Sequence, residues 1–126
     1  MVTVKIGAEG DRDLEFNRDP SVSVGDAVYL SGTNTVNRAD ASSLGTTPVI
    51  GFAAAIIGTT AKVRTEKALG GFSGLTPALP LFLTTSPGGI SHTAPSAFGQ
   101  VIQEVAIAIA ADKILIRIDT DATVIA

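Results

Sequence analysis

The chain has no cysteine, no tryptophan, one histidine, one methionine and one tyrosine in 126 residues. Without cysteine there is no disulfide framework and no thiolate metal site. The single histidine, His92, has no acidic residue within ten positions, which gives no carboxylate partner for a zinc site. Aromatic residues make up 5%. Tyr29, Phe52, Phe72, Phe82 and Phe98 stand singly, so no stacking platform for bases is visible, and a sugar-binding face would be thin. Charged residues are 17%, against a usual fraction of about 25%. A net charge of −3 argues against a basic nucleic-acid surface. Long apolar runs are missing too. The longest, residues 49–57, is broken by Gly51 and is about half the ~20 residues of a membrane-spanning helix. The opening Met1-Val2-Thr3-Val4-Lys5-Ile6 carries no long apolar region, so no signal peptide is expected.

Catalytic signatures fail on spacing. In Gly71-Phe72-Ser73-Gly74-Leu75 the second glycine follows the serine directly, which breaks the nucleophile-elbow pattern. No glycine-rich segment ends in the Gly-Lys-Ser/Thr of a phosphate loop. Glu9, Asp11, Asp13 and Glu15 alternate as in a calcium loop, but the turn glycine and the bidentate glutamate are absent. A solvated acidic loop is the better reading, and Asp119 and Asp121 read as tail charges. The residues therefore point away from an enzyme: no catalytic residue, no cofactor, no metal and no small-molecule substrate are expected.

What is present is apolar and unevenly charged. Hydrophobic residues are 45%, and the mean hydropathy is +0.39. Eight of the 21 charged residues (Lys5, Glu9, Asp11, Arg12, Asp13, Glu15, Arg18 and Asp19) fall in the first twenty positions. Residues 41–61 and 68–103 contain none. A small domain cannot bury all of that, so part of it forms a neutral, partly apolar surface of the kind a partner covers.

The periodicity is that of strands. Apolar and polar residues alternate through 2–6, at Leu14 and Phe16, and at Val22 and Val24. Further strands are expected at 27–30, 35–38, 48–57, 61–65, 81–84, 100–110 and 113–119, and the turn at 86–89 leads into Ile90-Ser91-His92-Thr93. A short helical turn is expected near 40–44 with Asp40 as its cap. Gly51 marks a bulge or a close backbone approach. Gly, Pro and Asx turns separate the strands throughout. The fold class expected is all-β: a compact small β-barrel or sandwich of short antiparallel strands over residues 21–126, preceded by a charged N-terminal arm over residues 1–20.

The order of segments carries a resemblance. Gly25-Asp26-Ala27-Val28-Tyr29-Leu30 is followed by Val36-Asn37-Arg38-Ala39-Asp40, Pro48-Val49-Ile50-Gly51-Phe52-Ala53 and Ala61-Lys62-Val63-Arg64-Thr65. Then come Gly71-Phe72-Ser73-Gly74-Leu75-Thr76-Pro77, Leu81-Phe82-Leu83-Thr84-Thr85-Ser86-Pro87-Gly88-Gly89-Ile90, and Gly99-Gln100-Val101-Ile102-Gln103-Glu104-Val105-Ala106-Ile107-Ala108. This succession, over residues 25–118, resembles a module of tailed-bacteriophage structural proteins: capsid decoration (cement) proteins, head fibres and some tail-fibre segments. Ala78 departs from the pattern, which has glycine after Pro77.

The resemblance implies a virion structural protein that binds the outside of an icosahedral head as a homotrimer and clamps neighbouring major capsid proteins. The alternative within the same likeness is a head-fibre, tail-fibre or spike segment that binds a host-surface carbohydrate. For a decoration protein, the expected capsid contacts are Val2, Val4, Ile6, Asp11, Arg12, Asp13, Leu14 and Phe16, an extended arm that adds a strand to a capsid sheet edge. Residues 2–6 could equally be the first strand of the barrel. Subunit contacts are expected at Phe72, Leu75, Leu81 and Leu83, in the neutral 68–103 region. The expected partners are the major capsid protein and further copies of the chain, with no nucleic acid and no membrane.

Overall fold

The structure is a computed structural model that describes residues 13–119 and 121–126. It is all-β. Five strands, β1 (Leu14–Arg18), β2 (Ala27–Gly32), β3 (Thr35–Arg38), β4 (Gly51–Ile57) and β5 (Thr60–Arg64), close into a barrel in the order β1-β3-β2-β4-β5. β1 completes the ring by pairing with β5 (Leu14 opposite Val63) and with β3 (Asn17 opposite Thr35). The β1–β3 pair is parallel, so the strands are not all antiparallel as expected. A five-stranded sheet follows: β6 (Lys67–Gly70), β7 (Pro80–Leu83), β8 (Ile90–Ser91), β10 (Glu104–Ala110) and β11 (Lys113–Ile116), in the order β6-β11-β10-β7-β8. β9 (Val101–Ile102) and β12 (Thr123–Val124) form a separate two-stranded ribbon.

Two cores follow from the two-residue period of a strand, which sends neighbouring side chains to opposite faces. Val28 on β2 and Ala53 on β4 point into the barrel with Val22, Val36, Ala61 and Val63. Their neighbours Ala27 and Phe52 point the other way, against Leu69, Leu81, Leu83, Val105, Ile114 and Ile116 of the sheet. The barrel wall is thus the floor on which the sheet packs. Gly51 sits where the wall is tightest. A Cβ there would lie 2.6 Å from the Arg64 carbonyl oxygen and from Val63 Cγ1. The close approach expected of this glycine is present, while the bulge of β4 lies further on, between Ala53 and Ala55.

Several expectations are corrected. The boundary at residue 20 falls inside the fold, because Leu14–Arg18 is the strand that closes the barrel. Arg18 seals that end: its Nε and Nη2 donate to the Gly58 carbonyl at 3.1 and 2.8 Å, and its Nη1 donates to the Pro20 carbonyl at 3.0 Å. The alternation of Val22 and Val24 is no strand; Val22 is a buried loop residue and Val24 is exposed. The helical turn lies at Leu44–Thr46, with no side-chain cap. Asp40 instead accepts from the Ser42 N–H and from the Ser42 and Thr46 hydroxyls. β6 is a strand that periodicity does not announce. The expected strand over 100–110 is divided at Gln103, whose buried amide receives the Val49 N–H at 2.9 Å and donates to the Asp119 carbonyl at 2.9 Å.

Candidate interaction surface

Polar side chains of chemical interest are committed to local structure. His92 accepts the Thr76 N–H at Nε2 (3.0 Å) and meets the Pro80 carbonyl at Nδ1 (2.9 Å), so the neutral ring carries its proton on Nδ1. It staples the loop before β7 to that strand. Asp19, Asp26 and Asp119 accept backbone N–H groups of Ser21, Ser23 and Asp121. The backbone and hydroxyl of Ser21 hold the Asp19 carboxyl below its ordinary range. Among the described residues no group of three or more His, Asp or Glu side chains is placed to hold a metal ion.

The expected capsid contacts divide. Val2, Val4, Ile6, Asp11 and Arg12 lie outside the described residues. Asp13 is an anchor rather than a free charge: its two oxygens receive Arg64 Nε and Nη2 at 3.0 and 3.1 Å, and Arg64 Nη1 also donates to the Ala68 carbonyl. Phe16 packs against the barrel core, whereas Leu14 is 50% exposed. Asp13, the first described residue, is therefore held at a fixed point on the barrel.

The expected subunit contacts change more. Leu81 and Leu83 are fully buried between sheet and barrel, because they occupy the inward positions of β7. They are core, not interface. Phe72 and Leu75 are partly buried against the same core, and Phe72 meets Phe52 edge to face at 6.4 Å. With Val24, Asp26, Gly88 and Ile90 they line a shallow depression of about 370 Å³.

The outward face of the sheet holds a feature that sequence reasoning does not single out. Ala68, Leu115, Ile107 and Pro80 lie side by side across β6, β11, β10 and β7, as the pairings Ala68–Leu115, Leu115–Ile107 and Ile107–Pro80 show. Leu115 is 38% exposed, and Ile109, two residues along β10 from Ile107, is 46% exposed. The open face of an antiparallel sheet is ordinarily polar; here four strands carry an apolar row. Lys113 stands at one end of the face, and at the other Arg117 Nη2 donates to Glu104 Oε2 at 2.8 Å. A signal for it exists in the sequence: residues 105–109 and 114–116 are apolar at odd and even positions alike, the mark of a sheet covered on both faces.

A second feature lies at the loop before β9. Phe98 is 85% exposed at the tip of a turn fixed by Ala97 N–H to Gln100 Oε1 and by Gly99 N–H to the Ile125 carbonyl. Beside it, Thr84, Thr85, Ser91, Thr93, Ser96 and Gln100 line a groove of about 250 Å³. No family model, no curated protein and no solved structure matches the chain.

Proposed function

We propose that the protein is a capsid decoration protein of a tailed bacteriophage, bound as a homotrimer to the outside of the head, where it ties neighbouring major capsid proteins together. One observation carries the reading beyond the resemblance. Residues 71–108, which hold three of the segments that carry it, contribute β7, β8 and most of β10 to a sheet whose outward row is apolar and uncharged. Contact area is the chemistry this molecule offers. The binding is mechanical: apolar surface leaves water and many modest contacts add around a shell. The arm before residue 13 reaches the shell from its anchor at Asp13 and Arg64.

The test is co-sedimentation of the purified protein with heads of the encoding phage prepared without it. Saturable binding at one trimer per local threefold axis, with heads that survive higher temperature, is the expected result. Heads that neither bind the protein nor gain stability overturn the reading.

A second reading, a fibre segment that binds a host-surface carbohydrate, is favoured by the exposed Phe98 beside the hydroxyl-lined groove, since an aromatic face and hydroxyls suit a sugar. Binding to host cells that Phe98→Ser abolishes, with no binding to heads, would select it.

A further inference from the structure

We infer that His92 is a proton-sensitive latch: the neutral ring ties the loop over residues 71–79 to the end of β8, and protonation releases that loop. The ring bridges two backbone groups of opposite kind. Its Nε2 accepts the Thr76 N–H at 3.0 Å, and its Nδ1 meets the Pro80 carbonyl at 2.9 Å. A backbone N–H only donates and a carbonyl only accepts, so Nε2 must be bare and Nδ1 must carry a proton. One form of the ring, the neutral Nδ1–H tautomer, satisfies both. A proton taken from solvent at Nε2 sets two donors face to face at Thr76, while the bond to Pro80 survives. Imidazole is the side chain that makes this exchange in the mildly acidic range.

The latch joins two walls of one depression. Thr76 adjoins Leu75, and His92 stands two residues after Ile90; Leu75 and Ile90 both line the depression of about 370 Å³ beside Phe72. On its other side the loop hangs from the β10–β11 turn. There the Phe72 N–H donates to the Asp112 carbonyl at 3.1 Å and the Leu75 N–H to the Ala111 carbonyl at 3.0 Å. Those bonds join backbone to backbone and do not titrate. Acid therefore frees the Thr76 side of the loop and leaves the Phe72 side attached. Residues 68–103 hold no charged side chain, so the loop, β7 and β8 offer an imidazolium no counter-charge. The charged residues on the surrounding elements are Asp26 in the depression, Asp112 and Lys113 at the β10–β11 turn, and Glu104 on β10. Asp26 accepts the Ser23 N–H and Glu104 accepts Arg117. The bonds of His92 go to Thr76 and Pro80 instead.

The experiment is an NMR titration of the full chain from about pH 7.5 to about pH 5, with thermal unfolding followed by circular dichroism at both ends. At the upper pH the ring nitrogens are expected to show a proton on Nδ1 and a bare Nε2. As the ring titrates, the Thr76 amide is expected to lose its hydrogen-bonded shift and at least about tenfold of its protection against hydrogen exchange, while the Phe72 amide keeps its own. His92→Gln carries an amide that donates to Pro80 and accepts from Thr76 without titrating. Across the same pH span its melting midpoint is expected to fall by about 2–4 °C less than that of the wild type. Carboxylates titrate in both proteins alike, so the difference belongs to His92. Equal pH dependence of the two overturns the inference. The wild-type titration decides by itself should His92→Gln fail to fold. A proton on Nε2 at the upper pH overturns the latch, as does a Thr76 amide that stays protected through the titration of the ring. Loss of protection at Phe72 and Thr76 together also overturns it, since the whole fold is then opening.

Discussion

Ala78 sits where an L-amino acid is poorly tolerated. Thr76, Pro77, Ala78 and Leu79 form a turn closed by Leu79 N–H to the Thr76 carbonyl, and Ala78 has φ 74°. Proline second and positive φ third define a type II turn, whose third position favours glycine. The turn after β7 repeats the design with Pro87 and with Gly88 at φ 76°. Ala78→Gly removes a left-handed cost of about 1–2 kcal/mol and adds a smaller backbone entropy cost. The net is expected to stabilise by about 0.5–1 kcal/mol, raising the melting midpoint by about 2–6 °C in a thermal scan; an unchanged or lower midpoint contradicts the turn assignment. The sequence flags this position only through the resemblance, which implies glycine after Pro77. Gly51 is legible because a glycine inside an apolar strand run marks a bulge or a close backbone approach. His92 is less so: that it lacks an acidic neighbour can be read, but its two backbone partners lie 12 and 16 positions away.

At the scale of elements, Gln103 decides how a long apolar run is divided. The register shifts between Glu104 and Ala106, just past it, and the side chain turns inward to bond Val49 and Asp119. It ties the segment before β4 to the chain after β11, and so the barrel to the sheet. Gln103→Leu keeps the volume but leaves the buried Val49 N–H without its partner and removes the tie to the carbonyl of the exposed Asp119. A loss of about 2–4 kcal/mol is expected by urea denaturation; a loss under about 0.5 kcal/mol would show that water replaces the amide. Most strands are visible in the sequence because they alternate. β6 is not, since Lys67-Ala68-Leu69-Gly70 is too short and too mixed to show a period, and its strand character comes from pairing with β11. Val22 and Val24 mislead for the converse reason: two valines two apart satisfy the pattern without a neighbour to pair with. Gln103 is unreadable, because its main partner lies 54 residues away.

For the whole molecule, the structure moves the arm boundary from residue 20 to before Leu14, and with it the deletion that isolates the arm. Removal of residues 1–19 would take away β1 and open the barrel. Removal of residues 1–12 keeps the closing strand and the Asp13–Arg64 pair. The shortened protein is expected to fold as the full chain does and, on the proposed decoration reading, to bind heads at least about tenfold more weakly in sedimentation. Undiminished binding would assign the shell contact to the barrel or to Phe98. All-β character and a barrel are legible from composition, turns and alternation. The choice of inward and outward sides on β7 is not. The uncharged stretch around Leu81 and Leu83 is too long to bury entirely, which suggests surface for both, and alternation names two faces without saying which one meets the core.

The shared wall between the two cores has a consequence for how the molecule comes apart. Ala27 and Val28 are neighbours in the chain, as are Phe52 and Ala53, yet each pair serves both cores. A fluctuation that frees β2 or β4 exposes the barrel interior and the underside of the sheet together. Neither half has a private reserve of stability to fall back on. Heat therefore meets one cooperative unit, and no half-melted barrel or orphaned sheet accumulates on the way to the unfolded chain.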